Sequence, residues 1–285
     1  MVRSKLFMSL LAVIGVCMLA GTSFAKKAAN PCPFSGNYSF FFWNPVLDMS
    51  GVGYVSVLPT PGTSCRAGVV LPGGIINCNY DSGTYENYIE SGNVFLETDG
   101  EGTMLIETNG TDTICDSGDN AIELDISVTK GGKTILFGSD GEAKAASGTI
   151  PQAGYDYTLT GRMAKCYAPD LVAGSYDARF WEPDGDAVGD CTVVVNGAGL
   201  VTGGTCRCNN DGDAYLSEIE GGTYTPGENC QSSTGYLTFV TSSDEVCGIT
   251  STMILDYAVA AGGTEIMFGC DPANDFNCAG KGNLM

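Results

Sequence analysis

Alternation of apolar and polar residues is the main pattern of this chain. In AIELDISV, which ends at Val128, every second residue is apolar and the residues between are acidic or polar. A period of two is typical of a β-strand with one face toward a core and one toward water. TMILDYAV has the same pattern, and we expect its inward residues to be Met253, Leu255, Tyr257 and Val259. Such runs recur about every ten to fifteen residues between Gly, Asn, Asp, Ser and Pro turns, so the chain is predicted to be all-β.

Two segments of the chain share an unusual motif. GNYSFFFW from Gly36 and GSYDARFW from Gly174 both read Gly-x-Tyr-x-x-x-Phe-Trp, and they contain the only two tryptophans. Further matches follow in the same order: VGYVSV with VGDCTV, which aligns Val52 with Val188, then CNYDSG with CNNDG, and GGKTILFGSD with GGTEIMFGCD. Ordered matches at nearly constant offset indicate an internal duplication. Trp43 should then be equivalent to Trp181, and Phe137 to Phe268.

The duplication sets the expected domain boundaries. Residues 1–25 combine a basic start, an apolar run and small residues before Ala25, which is the order of a secretory signal peptide. Residues 26–165 and 166–285 would form two repeats of about seven to eight strands each. Without helices to cover its apolar side, each antiparallel sheet must close into a barrel or fold into a sandwich.

The opening motif resembles the start of the calycin barrels, the class of the lipocalins and avidins. Those families have Gly-x-Trp where this chain has Tyr38 and Tyr176, and the rest of their signature is absent. The segment LETDGEGTMLIET is also similar to tandem β repeats of uncharacterised secreted bacterial proteins. The resemblance implies two tandem antiparallel barrels and carries no ligand over.

Charge and cysteine content indicate an exported protein. Removing Arg3 and Lys5 from 13 basic residues leaves 11 against 33 acidic ones, a net charge of −22. Nucleic acid and anionic membranes are therefore poor partners, and no later stretch is long enough to span a bilayer. Cysteines in an exported chain favour disulfides, and both repeats hold an even number. They are Cys32, Cys65, Cys78 and Cys115 in the first repeat, and Cys166, Cys191, Cys206, Cys208, Cys230, Cys247, Cys270 and Cys278 in the second.

The pairing of these cysteines is open, except for one expectation. The close neighbours Cys206 and Cys208 should take different partners, and every bridge can close within its own repeat. Export to the periplasm, the cell surface or the medium is the predicted localisation.

Aromatic and acidic residues supply two candidate sites. Six aromatic side chains either line the barrel mouths and hold an apolar or sugar ligand, or fill the barrel cores: Tyr38, Phe42, Trp43, Tyr176, Phe180 and Trp181. The loop EPDGDAVGD presents Asp184, Asp186 and Asp190, hard oxygen ligands that suit Ca²⁺, with an acidic hairpin turn as the alternative. Calcium is the one cofactor considered.

The absence of histidine limits the chemistry. It removes histidine-based triads and histidine metal ligands, and leaves a carboxylate-based hydrolase of the glycosidase type as the enzymatic alternative. We therefore expect a non-catalytic exported binding or cell-surface protein, with a small ligand or another envelope component as its partner. A structural or adhesive component with filled barrels is the alternative.

Overall fold

Sixteen antiparallel strands make up the described part of the chain. In the computed structural model the described residues are 32, 34–44, 49–80, 83–109, 114–116, 120–129, 131–139, 159–166, 171–182, 187–225, 234–241, 245–270 and 278–285. The first eight strands are β1 Gly36–Asn44, β2 Met49–Pro59, β3 Ala67–Tyr80, β4 Gly83–Leu96, β5 Glu101–Thr108, β6 Ala121–Val128, β7 Thr134–Gly138 and β8 Thr160–Lys165. The second eight are β9 Gly174–Trp181, β10 Ala187–Val195, β11 Leu200–Asn210, β12 Asp213–Tyr224, β13 Thr234–Thr241, β14 Thr252–Ala260, β15 Glu265–Cys270 and β16 Ala279–Leu284.

The strands form two closed eight-stranded barrels in tandem. Each strand pairs with the next one along the chain, and the last strand of each barrel pairs with its first, β8 with β1 and β16 with β9. This confirms the predicted all-β fold and selects a closed barrel over a sandwich. Closure removes the exposed sheet edges that an open meander would have. Both barrels lie in one compact unit, Pro33–Met285.

The same ring-on-glycine contact occurs at equivalent places in both barrels. A Cβ added to Gly189 would lie 2.3 Å from the Phe180 ring, because that ring covers its cross-strand partner. Four such pairs are equivalent between the barrels: Phe42 over Gly51 and Phe137 over Gly161 in the first, and Phe180 over Gly189 and Phe268 over Gly280 in the second. Phe40 over Gly53 adds a further pair in the first barrel. Only glycine leaves room for a ring lying flat on the neighbouring strand.

These pairs correct the sequence alignment of the second strand. The sequence match aligned Val52 with Val188, but the ladders place Gly51 and Gly189 under equivalent rings. The register of the hairpin decides the equivalence, and it differs from the sequence match by two residues. The side chains therefore stay on the same face, since a shift of two keeps the orientation.

The disulfide bridges between described cysteines close within each barrel. The bridges between described residues are Cys78–Cys115, Cys191–Cys206, Cys208–Cys247 and Cys270–Cys278. Cys32, Cys65 and Cys166 are disulfide-bonded as well, and Cys230 lies outside the described residues. Cys206 and Cys208 do take different partners, and Cys78–Cys115 is the equivalent of Cys208–Cys247. Such bridges are typical of an oxidising compartment.

The predicted signal peptide, residues 1–25, lies outside the described residues. Within the described part of the chain, no helix has the length and hydropathy to cross a bilayer.

Candidate functional site

The interiors of both barrels are filled with apolar side chains. The residual cavity is about 20 Å³ in each barrel, and only apolar residues line it, among them Phe180 in the second barrel and Phe42 in the first. A space of this size holds at most about one water molecule. Among the described residues, neither barrel contains a calyx for a small ligand.

Two tyrosines at equivalent positions anchor the barrel cores. The Tyr38 hydroxyl donates a hydrogen bond of 2.9 Å to the carbonyl of Gly132, in the turn between β6 and β7. The Tyr176 hydroxyl bonds in the same way to Gly263, and burial raises the pKa of Tyr176 to about 12. Each phenol thus satisfies a turn carbonyl while its ring fills the core.

The aromatic residues do not form a single site. Tyr38, Phe42, Tyr176 and Phe180 are buried inside their barrels, in two separate cores. Their predicted role in ligand binding stays a prediction. The structure gives them the filling role that we considered as the alternative.

The two tryptophans point outward from their barrels and meet each other. Their ring centroids lie 4.9 Å apart with an interplanar angle of 80°, an edge-to-face contact. Phe41 stacks on Trp43 with centroids 5.7 Å apart, and it also contacts Trp181. Side chains alternate along a strand, so Phe42 points into the first barrel while Phe41 and Trp43 point out. The motif that marks the duplication therefore supplies the contact between the two copies.

This contact belongs to an interface between different faces of the two barrels. We call the outward side of a barrel's first three strands its front face, and the outward side of its sixth and seventh strands its back face. β1 and β2 of the first barrel contact β14 and β15 of the second, so a front face packs on a back face. The buried apolar cluster between them consists of Phe41, Val52, Ala164, Ala258, Ala260, Met267 and Ala279, with Trp43 and Trp181 packed against it.

Polar contacts fix the register of this interface. Arg162 of β8 forms an ion pair with Glu265 of β15, whose side chain is 8% exposed. The Ser39 hydroxyl donates to the carbonyl of Val259 at 2.6 Å, and the Ala261 amide donates to the carbonyl of Lys165 at 3.0 Å. Hydrogen bonds at a buried interface penalise sliding, because displaced groups would lose their partners.

Burial at the interface also changes one strand prediction. The four predicted inward residues of β14 are buried, but so are the outward Asp256 and Ala258, at 0% exposure. The strand has a core on one side and the other barrel on the opposite side. A strand buried on both faces loses the alternation in burial that its sequence suggests.

The front face of the second barrel remains open and forms a wide concave surface. This outer groove has a volume of about 990 Å³. One row of its lining crosses five strands in register: Lys281 of β16, Arg179 of β9, Asp190 of β10, Arg207 of β11 and Leu216 of β12. Trp181 and Val188 lie in the next row.

The outer groove is the equivalent of the surface that the first barrel buries. Arg179 stands where the first barrel has Phe41, and Arg207 stands where it has Asn77. Sequence reasoning missed this groove because its cations are distributed over three strands that only barrel closure brings together. No local motif could have indicated it.

The predicted calcium ligands lie partly in this groove. Asp190 is exposed on β10, and its cross-strand partners are Arg179 and Arg207. Two neighbouring cations disfavour a divalent cation at that carboxylate. Asp184 and Asp186 lie outside the described residues, and the described ones contain no cluster of three or more potential ligands among Cys, Asp and Glu side chains. Calcium binding by this loop stays a prediction.

Comparisons with known proteins give the architecture no named family. No protein-family model matches the chain, and no curated protein matches it significantly. Among solved structures, an AttH candidate from Nitrosomonas europaea has 8% identity and a TM-score of 0.30, and the match covers 91% of this chain and 97% of that one. Kievitone hydratase from Nectria haematococca has 7% identity and a TM-score of 0.27, with 93% and 94% covered.

The second of these matches corrects one expectation. We expected from the absent histidine that the protein is not an enzyme, but a chain matched over nearly its full length is a hydratase by name. The prediction that the protein is not an enzyme is therefore wrong. At this TM-score and identity, the hydratase activity itself does not transfer to the present chain.

Proposed function

We propose that this protein is an exported binding or adhesion component, with two filled barrels as its scaffold and the outer groove as its binding surface. The observation that carries the proposal is the contrast between barrel interiors of about 20 Å³ and an outer groove of about 990 Å³. Small apolar ligands or sugars inside a barrel are disfavoured by the same contrast. The calycin resemblance is retained as a proposal about the origin of each barrel.

Charge in the outer groove points to an acidic partner. Arg179, Arg207 and Lys281 line it, in a chain that has only 13 basic residues and a net charge of −20. Val188 and Leu216 are 52% and 58% exposed beside them. Asp177 and Asp190 also line the groove, so its three cations exceed its acids by one, and exposed apolar side chains beside such charges are typical of a protein-binding surface.

The binding surface can be tested with an acidic polymer. We expect poly-L-glutamate to bind at low ionic strength and to change the fluorescence of Trp181, which lines the groove. Arg207→Glu should weaken this binding at least tenfold, while Arg66→Glu, on the exposed turn after β2, should leave it unchanged. Equal effects of the two charge reversals would contradict the proposal, because a nonspecific attraction to the whole chain does not distinguish them.

Export has its own test. We expect the mature chain, isolated from its native source, to begin at Lys26 and to carry no free thiol. Mass spectrometry of the intact, unreduced protein measures both. A chain that retains residues 1–25 in the cytoplasm, with its cysteines reduced, would contradict export.

A further inference from the structure

Duplication leaves two faces of this protein without their equivalent partners. Within the chain, the front face of the first barrel packs on the back face of the second. Apart from the contact between the equivalent Trp43 and Trp181, this contact is heterologous, since it joins two different surfaces. The front face of the second barrel and the back face of the first are therefore left over. A heterologous contact can be repeated between molecules to form rings or open chains.

We infer that the partner of the outer groove is a second copy of this chain, which docks with the back face of its first barrel. The inference rests on the proposed function of the groove and names its partner. It predicts that the intermolecular contact repeats the packing of front face on back face that already joins the two barrels, without its tryptophan pair, since Trp43 and Trp181 already contact each other within the chain.

The exposed back face of the first barrel matches the buried one at two positions, whereas Ser127 and Thr134 stand where the buried face has Ala258 and Glu265. Leu136 of β7 is 50% exposed, whereas its equivalent, Met267, is fully buried between the barrels. Asp125 of β6 is exposed, whereas its equivalent, Asp256, is 0% exposed. An apolar residue and an acid at interface positions thus lie open to solvent in the first barrel.

The internal contact shows which residues of the first barrel lie near the buried acid, Asp256. In the internal contact, Gly269 packs on Ser50 and Asn79: a Cβ on that glycine would lie 3.2 Å from the Ser50 hydroxyl and 3.5 Å from the Asn79 amide nitrogen. Asp256 is the cross-strand partner of Gly269. Asp256 therefore lies one strand away from this contact, on β14, which packs against β1 and β2 of the first barrel.

If the same geometry joined two molecules, an acid of one molecule would face a cation of the other. Gly138 takes the place of Gly269, and its cross-strand partner is Asp125. Asn209 takes the place of Asn79, and Arg207 lies two residues earlier on the same outward side of β11. Asp125 of one copy would then face Arg207 of the other, and Glu123 adds a second acid on β6.

The contact should be salt-dependent and weaker than the internal one. Arg179 and Arg207 replace the Phe41 and Asn77 of the buried front face, so the outer groove is more polar. Exposed charge pairs are screened over a Debye length of about 10 Å at 0.1 M salt. We expect association at low salt and high protein concentration, and dissociation near 1 M salt.

A charge-swap experiment tests the inference. Sedimentation velocity of the full mature chain should show dimers and longer species for the parent. Arg207→Glu alone and Asp125→Arg alone should each weaken self-association at least tenfold. An equimolar mixture of the two variants should regain dimers and longer species, because each variant then supplies the charge that complements the reversed charge of the other. The chain carrying both substitutions should associate again, whereas Arg66→Glu should behave as the parent does.

A cross-linking measurement covers the case in which a variant fails to fold. Carbodiimide treatment of an equal mixture of ¹⁴N and ¹⁵N parent protein should join Lys281 of one copy to an acid on the first barrel of another. A parent protein that sediments as a monomer, or the absence of mixed-label cross-links, would overturn the inference. If the outer groove then still binds poly-L-glutamate through Arg207, the proposed function stands and only its partner changes.

Discussion

The contact between the two tryptophans makes a quantitative prediction. A tryptophan side chain buries about 150–250 Å², which at about 25 cal/mol per Å² corresponds to about 4–6 kcal/mol when burial is complete. Trp43 and Trp181 are each partly exposed, so truncation of either to Ala should lower the free energy of unfolding by about 3 kcal/mol. The edge-to-face contact between the two rings itself contributes about 1 kcal/mol to the free energy of unfolding.

A double-mutant cycle isolates that coupling. Once one ring is removed, the other has lost its partner, so the double variant should cost about 1 kcal/mol less than the sum of the two single variants. Urea unfolding followed by far-ultraviolet circular dichroism, with the disulfides intact, is the suitable assay. Tryptophan fluorescence does not serve, because both fluorophores are removed in the double variant.

The control is an exposed aromatic residue on another face. Phe95 on β4 is 60% exposed, so Phe95→Ala should cost less than about 0.5 kcal/mol and should be additive with Trp43→Ala. The reasoning would be refuted if Trp43→Ala and Trp181→Ala were additive within about 0.3 kcal/mol. Additivity would mean that each ring stabilises its own barrel independently, as two separate barrel cores would require.

Three further substitutions test the fold at single positions. Burial raises the pKa of Tyr176 to about 12. The neutral phenol therefore contributes fully to stability below its ordinary pKa of about 10, and this contribution is lost as pH rises toward 12. Tyr176→Phe should remove this part of the alkaline loss of stability, as measured by circular dichroism. Replacing Cys208 and Cys247 by Ser opens a bridge that spans 39 residues, and should lower the free energy of unfolding by about 4 kcal/mol in urea titrations. Gly189→Ala places a methyl 2.3 Å from the Phe180 ring and should cost about 1–3 kcal/mol in the same assay.

Two of these substitutions have a matched control. Opening Cys270–Cys278, which spans 8 residues, should cost only about 2.5 kcal/mol, and an equal or larger loss would contradict the loop-length argument. Gly138→Ala, whose nearest neighbour would be 3.5 Å away, should be tolerated, and a loss as large as that of Gly189→Ala would contradict the packing argument. An unchanged alkaline profile in Tyr176→Phe would show that another group titrates there.

Local patterns in the sequence were sufficient for the fold class and the duplication. Alternation predicts a strand wherever one face is buried, as in β6, where Leu124 and Ile126 are buried and Asp125 is exposed. The equivalence of Phe137 with Phe268 is confirmed by their matching glycine partners. These features depend on neighbours along the chain or on ladder partners, so a single sequence is enough to predict them.

A run without alternation was the one local signal of the interface. In β1, Phe40, Phe41 and Phe42 are all buried, because Phe41 faces the second barrel while its two neighbours face the first core. Three consecutive apolar residues in an otherwise alternating chain indicate burial on both faces. The run contains no polar residue that would mark the outward side of the strand, so the sequence alone could not decide whether Trp43 points inward or outward.

The sequence by itself determined that the protein consists of two disulfide-stabilised β repeats, because period, turn residues and duplication are all written along the chain. Only the tertiary structure decided which surface is available for binding. Arg179, Arg207 and Lys281 lie on β9, β11 and β16, and they meet because the last strand of the barrel pairs with the first. Whether a face is buried or exposed depends on how the two barrels pack, which involves residues more than 200 positions apart, such as Ser39 and Val259. Side chains that close a barrel or cover its face interact through space, and their spacing along the chain does not show which of them will meet.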